Sequence, residues 1–185
     1  MARTRVEGPH LRSAVWVSGC TIRCPGCCNP EMFDASAGTR QSVAAIAADW
    51  PRDIEGITVL GGEPLEQIAG VAALAAAAQR RGLGVVIATG FTATEARARP
   101  GFAALWCHVD TLLAGPFDAR RLEPEGARKL VGSSNQRLLH RTPRYRDARL
   151  WTGPRAAEVA VDAEGGVTVL GAPKLVAAVR RRLNA

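Results

Sequence analysis

Short apolar runs alternate with polar, glycine-rich breaks along most of this chain. Ala14, Val15, Trp16 and Val17 form the first run, closed by Gly19. A run that short, bounded by turn residues, predicts a buried strand over 13–17. The same reasoning predicts strands over 56–60, 83–88 and 110–114, each followed at once by glycine or threonine–glycine. Between them the period changes to that of a helix. Ser42 is placed to cap a helix over 43–49 with Val43, Ile46 and Ala47 on one face. Leu65, Ile68, Ala72 and Ala75 recur at helical spacing over 65–81, and Gly82 stands where such a helix stops. Thr92 and Glu95 form a capping-box pattern for a short helix ending before Pro100, and 101–107 add a helical turn.

The flanks read less clearly. Residues 1–12 are polar and irregular, 117–131 are polar without a period, and 132–136 read as a loop with a short helix or extended run behind it. Residues 140–156 carry many Arg and no period. Residues 158–162 and 167–170 flank Ala163-Glu164-Gly165-Gly166, a hairpin signal. Pro173 opens a final helix with Leu175, Val176, Val179 and Leu183 on its apolar side. No internal repeat or low-complexity linker is present.

Strands alternating with helices predict an α/β fold with a parallel sheet. In such sheets ligands sit beyond the carboxyl ends of the strands. Four strand-end stretches should therefore share one edge: 18–30, Gly61-Gly62-Glu63-Pro64, Thr89-Gly90-Phe91 and Gly115-Pro116.

Composition narrows the class without naming a function. The chain has 185 residues, 47% hydrophobic and 22% charged, which suits one compact domain with a sizeable core. No apolar run is long enough for a membrane span, and the start, Met-Ala-Arg-Thr-Arg-Val-Glu, has no apolar stretch of a secretory leader. A cytoplasmic protein with free thiols is the expectation. The net charge is +7, almost all from Arg, since Lys stands only at 129 and 174. A basic surface attracts nucleic acid or acidic proteins, yet no aromatics interleave with these Arg as a single-strand binder requires. Nucleic acid is not the expected partner.

The candidate chemistry lies in the stretch after the first strand. Cys20, Cys24 and Cys27 stand at C-x3-C-x2-C spacing in a loop rich in Gly and Pro. An odd total of five Cys, three of them clustered, suits metal or cluster binding better than disulfides. Zinc would need a fourth ligand from Cys28, Cys107 or His108, and no second C-x2-C pair is present. An iron–sulfur cluster held by three thiolates keeps one iron open. Unligated thiols are the third reading. In Gly61-Gly62-Glu63, two glycines let backbone carbonyls approach a ligand and the Glu adds an acceptor, which suits an ammonium group. An open iron beside an ammonium acceptor suits an amino acid.

The cysteine motif after the first strand, with Gly61-Gly62-Glu63-Pro64 after the second, resembles the radical S-adenosylmethionine (SAM) superfamily. Cys24-Pro25-Gly26-Cys27 with Asn29, Thr89-Gly90-Phe91-Thr92 with Glu95, Asp110-Thr111-Leu112-Leu113-Ala114-Gly115-Pro116-Phe117 and Gly132-Ser133-Ser134-Asn135-Gln136 narrow it. Over roughly residues 8–141 they resemble the activating proteins of anaerobic ribonucleotide reductases. The resemblance implies an incomplete parallel (β/α) barrel of the radical SAM type, with a core over 1–141 and a short C-terminal hairpin–helix addition over 142–185 packed on it. It implies that Cys20, Cys24 and Cys27 bind three irons of a [4Fe–4S] cluster, with the fourth iron chelated by SAM. Gly61, Gly62 and Glu63 would hold the SAM amino group, and Thr89 would reach its carboxylate or ribose. Gly26 stands where many members carry an aromatic residue beside the adenine, and its neighbours Ile22 and Asn29 would help bind the cofactor by backbone or side-chain contact.

The implied reaction takes an electron from a flavodoxin- or ferredoxin-type donor and cleaves SAM reductively to methionine and a 5′-deoxyadenosyl radical. In the activating proteins that radical takes a hydrogen from a glycine of a partner glycyl radical enzyme. No catalytic acid or base is implied. Two other readings stay open: radical chemistry directly on a small molecule or peptide, and a non-catalytic iron–sulfur or zinc protein that binds a partner. Cys28 reads as a small buried residue, and Cys107 and His108 as a packed helix end.

Overall fold

The computed structural model describes residues 2–183. Its centre is a six-stranded sheet in sequential order: β1 (Ala2–Thr4), β2 (Arg12–Val17), β3 (Gly56–Gly61), β4 (Gly84–Thr89), β5 (Thr111–Ala114) and β6 (Arg137–His140). β2 to β5 run parallel, whereas β1 and β6 pair antiparallel at the two edges. The fold is thus mixed α/β with a mostly parallel sheet. The expectation of an all-parallel set is corrected at those edges. β1 lies in a stretch expected to be irregular: three residues paired along one side offer too short a pattern to read. Its register with β2, Thr4 opposite Arg12, supplies the order that the local sequence lacks.

The helices follow their caps. Ser42 accepts from the Ala45 N–H ahead of α1 (Val43–Ala48). Thr92 and Glu95 form the complete reciprocal box ahead of α3 (Ala93–Ala98). The longest helical stretch opens as a 3-10 turn, Pro64–Gln67, and continues as α2 (Ile68–Arg80). Gly82, at φ +73°, donates to Gln79 O, and the Leu83 N–H returns to Ala78 O, so the chain leaves the helix through a left-handed glycine. α4 (Phe102–Trp106) precedes β5.

Two layers cover the sheet. Val15, Ile57, Val59, Val85, Ile87 and Leu112 meet α2 and α4 through Leu74, Ala75, Ala78 and Leu105, all buried. Successive strand residues point to opposite faces, so Val86 turns the other way. There it packs with Tyr145 and Trp151, which places the Arg-rich 140–156 region on the second face as a covering layer. Beyond it, β7 (Ala157–Val161) and β8 (Val167–Gly171) form a separate hairpin, followed by α5 (Pro173–Leu183). Glu158 ties this hairpin to the Thr4 hydroxyl and the Arg5 N–H, and the buried Glu7 accepts from the Gly171 N–H. The last two residues of the expected 142–185 addition, like Met1, lie outside the described residues. Among the described residues no helix is long and apolar enough to cross a membrane.

Candidate active site at the carboxyl edge of the sheet

The parallel register carries the strand-end loops to one edge. Val17 stands opposite Gly61, and Thr89 opposite Ala114. The cysteine loop leaves from β2 and is fixed at its start by backbone bonds from Gly19 to Met32 O and from Cys20 to Phe33 O. Glu66, in the turn after β3, accepts from the Thr21 N–H and hydroxyl, and the Gln67 amide donates to Ser18 O.

Gly61 and Gly62 are required here by the approach of two backbones. Gly61 has φ +106°, and a Cβ on it would stand 2.7 Å from Val17 O. A Cβ on Gly62 would collide with Gly19 O. The Gly62 N–H donates to Val17 O (2.7 Å) and the Glu63 N–H to Gly19 O (2.8 Å). This pair of glycines therefore stitches the end of β3 to the root of the cysteine loop.

The side chains of Glu63 and Thr89 sit differently from the expectation. Glu63 is 1% exposed. Its carboxylate accepts from the Leu65 N–H (2.8 Å), the Thr89 hydroxyl (2.7 Å) and the Gly90 N–H (2.8 Å). It is turned inward, capping the turn at Pro64 and joining the end of β3 to that of β4. The Thr89 hydroxyl, having donated to Glu63, accepts from the Phe91 N–H. It is occupied within the protein instead of reaching toward a ligand. Burial pushes the Glu63 carboxyl above its ordinary range, against the three donors, and the Glu66 charge adds to the shift. Among the described residues it makes no ion pair, while Arg99 packs nearby on Leu65 O and the Phe91 ring. A buried carboxylate held only by neutral donors keeps an uncompensated field.

The three motif thiols are half-buried and free, whereas Cys28 and Cys107 are exposed. Burial raises Cys24, the Phe117 N–H opposes that, and the charges of Cys27 and Cys20 raise it further. The Cys28 thiol donates to the Cys27 sulfur, which lowers Cys27 to about 6 and pushes Cys28 up. The Asn29 N–H points at Cys27 Sγ (3.5 Å). Asn29 begins the following 3-10 turn without a side-chain cap bond, so its contribution here is from the backbone. Among the described residues no three His, Cys, Asp or Glu side chains close round a single metal ion. A [4Fe–4S] cluster asks for a different arrangement, since each thiolate takes its own iron. Three soft thiols on one loop, with a backbone N–H group facing one of them, fit that group.

The other loops close in around these thiols. A Cβ on Gly90 would stand 2.8 Å from Ile22 Cδ1, so the end of β4 lies against the cysteine loop. On the far side, a cleft of ≈ 540 Å³ opens between that loop and the end of β5, lined by Pro25, Pro116, Phe117, Asp118, Arg120 and Asn135. Asn135 Oδ1 is buried without a partner. Phe117 and Asn135 are site residues that sequence reasoning left without a role. Their signal was the pair of motifs at 115–117 and 132–136, whose meeting is tertiary. Cys107 and His108 follow α4 among the helices and take no part.

Comparison with known proteins gives this edge a context. The profile of the family described as 4Fe-4S single cluster domain matches residues 6–139. Among curated proteins, the pyruvate formate-lyase-activating enzyme of Streptococcus mutans serotype c is 29% identical over 146 residues, covering 72% of this chain and 54% of its own. That of Staphylococcus aureus (strain USA300) is 27% identical over 145 residues, covering 73% and 57%. That of Listeria monocytogenes serovar 1/2a is 36% identical over a shorter 70 residues, covering 34% and 28%. The chain thus spans little more than half the length of the curated relatives it matches, or less.

Proposed function

We propose, on the premise that this chain belongs to the 4Fe-4S single cluster domain family, that it generates a radical to activate a glycyl radical enzyme. A [4Fe–4S] cluster and SAM are the cofactors that the family and the kinship to pyruvate formate-lyase-activating enzymes imply, which makes it a radical SAM enzyme of the activase type. The observation that carries the reading is the meeting of the three-cysteine loop with Glu63. The uncompensated field of that carboxylate lies directly behind the glycines of the β3 turn. A ligand that brings a fixed positive charge and an ammonium group, as SAM does, answers that field.

In this reading Cys20, Cys24 and Cys27 hold the cluster. Gly61 and Gly62 present backbone to the SAM amino group, and Glu63 acts from behind them through its charge. Thr89 keeps the Glu63 carboxylate in place, and Asn29 supports Cys27. The cleft beside Gly26 receives the adenine end. When bound, the cluster supplies one electron to the SAM sulfonium, giving methionine and the radical that removes a hydrogen atom from the target. The chain's own part is to orient SAM and exclude water. The sheet would be the wall of an incomplete (β/α) barrel, with residues 142–185 as an addition packed on a core over 1–141.

For the target we favour an anaerobic ribonucleotide reductase, from the motif resemblance. Pyruvate formate-lyase is the target that the relatives' names suggest. A flavodoxin- or ferredoxin-type protein is the proposed electron donor, and the cytoplasm the proposed compartment. Anaerobic reconstitution should load about four irons per chain with the broad absorption of such clusters. Dithionite and SAM should then release 5′-deoxyadenosine, and Cys24→Ala should abolish it. Product from that variant at the wild-type rate would reject the ligand assignment. Mixing the reduced protein and SAM with each candidate target, and looking for a glycyl doublet by EPR, separates the two targets. A doublet with neither would turn the reading toward a small molecule or peptide.

A further inference from the structure

The loop over 132–136 makes contacts that the proposed chemistry does not use. Gln136 Oε1 accepts from the Gly132 and Ser133 N–H groups, and its Nε2 donates to Gly115 O (2.9 Å). The Asn135 amide donates to Pro116 O (2.7 Å), and the Ser133 hydroxyl accepts from the Asp118 N–H (3.1 Å). Three side chains of one loop, those of Ser133, Asn135 and Gln136, thus grip three of the four residues at 115–118. The loop is itself held from behind. Arg128, paired with the buried Glu123 (2.5 Å), donates to Gln136 O and Ser134 O. Glu123 N–H donates to Gly132 O.

The residue left ungripped is Phe117, and its ring is wedged. A Cβ on Gly132 would stand 3.0 Å from Phe117 Cδ2, and one on Gly26 would stand 3.6 Å from Phe117 Cε1. One edge of the ring therefore lies on the 132–136 loop, and the other on the cysteine loop between Cys24 and Cys27. Neither neighbour carries a side chain that could hold the ring off the backbone. The turn that the ring rests on is closed by the Cys27 N–H to Cys24 O (3.1 Å), and the Asn29 N–H points at Cys27 Sγ (3.5 Å).

We infer that residues 115–118 and 132–136 form a brace that fixes the Cys24–Gly26 segment through the Phe117 ring and so tunes the reduction potential of the cluster. Phe117, Asn135 and Gln136 are then positioning residues. The inference rests on the cluster reading above. Its physical basis is that hydrogen bonds to cluster sulfurs favour the electron-rich reduced state, and that these bonds and solvent exposure are among the factors that set such potentials. Releasing the ring lets this turn shift and carries the Cys27 sulfur away from its Asn29 donor, which lowers the potential.

The test is an EPR-monitored redox titration of the reconstituted full chain without SAM, with iron counted in each sample. Phe117→Ala should keep its iron and shift the one-electron equilibrium about tenfold toward the oxidised form, a fall of about 59 mV. Phe117→Tyr, which keeps the wedge, should hold the wild-type midpoint. Gly132→Ala, which pushes the ring without removing a hydrogen bond, and Gln136→Ala, which frees the grip on Gly115, should fall in the same direction by less. If Phe117→Ala loses its cluster, the last two variants decide. Full iron with the wild-type midpoint in both overturns the brace and leaves the cluster reading intact. A wild-type chain that takes up no cluster overturns both.

Discussion

The two ends of the same parallel strands each gather polar groups round a glutamate, and they do so in opposite ways. At the carboxyl edge, Glu63 meets two backbone N–H groups and a hydroxyl, and among the described residues makes no ion pair. At the amino edge, Glu55 accepts from Arg12 (3.1 Å), Arg144 (2.7 Å) and the Tyr145 hydroxyl (2.6 Å). Arg12 is fully buried and spends its remaining donors on Thr58, Pro9 O, Ile57 O and Gly84 O. One end is electrically closed and can only stabilise. The other makes no ion pair among the described residues, the difference expected between a ligand site and a structural polar cluster.

Substitutions at the two ends should therefore fail in different assays. The largest effect is expected from Arg12→Leu. It removes the fully buried one of the cluster's two cations and should cost about 3–5 kcal/mol in urea unfolding of the ligand-free chain. A loss within error would show that the amino edge is not the closed cluster described. Tyr145→Phe keeps the ring and the cation–π contact with Arg12 (5.0 Å) but removes the hydroxyl from Glu55, for about 1–3 kcal/mol in the same assay. Unchanged stability would mean that the two Arg suffice.

Glu63→Gln should reverse the pattern. Stability should fall by no more than about 1–3 kcal/mol, since the amide nitrogen cannot accept from a backbone N–H, while SAM binding to the reconstituted protein, measured by calorimetry, weakens about tenfold, or ~1.4 kcal/mol. Unweakened binding would remove Glu63 from the site. The smallest effect lies in pH. Because burial raises the Glu63 carboxyl above its ordinary 4.5, its ionisation costs more in the fold than in the unfolded chain. That cost is absent below the unfolded value, grows as pH rises through the folded one, and is constant above it. Wild type should lose stability relative to Glu63→Gln over that rise, in ligand-free chains compared pairwise. A parallel pair of curves would contradict the buried, uncompensated charge.

Much of this was legible in the sequence because it is written locally. The four parallel strands, the Thr92–Glu95 box and the Gly82 stop each depend on residues within a turn of one another. β1 and β6 were not, since an edge strand of three or four residues takes its order from its neighbour. The cysteine triplet and the two glycines after β3 could be named from spacing alone. The inward turn of Glu63 could not, because its partner Thr89 lies 26 residues on. For the same reason 132–136 read as a loop without a task. Its partners at 115–118 are distant, and Phe117 fits only because Gly26 and Gly132 stand bare on either side.

The Tyr145 hydroxyl sits in a slot between strands that only glycine can leave open. A Cβ on Gly84 would overlap it, and one on Gly56 would stand 2.8 Å away. That slot is cut into β3 and β4 but filled from the far side of the chain, beyond both the family match and β6. A fragment ending at residue 141 would retain every strand of the six-stranded sheet and every proposed ligand, yet carry an empty notch and a buried guanidinium short of one partner. The smallest autonomous unit of this protein is therefore expected to be longer than the stretch carrying its proposed cofactor motifs, with Tyr145 and Trp151 inside its boundary.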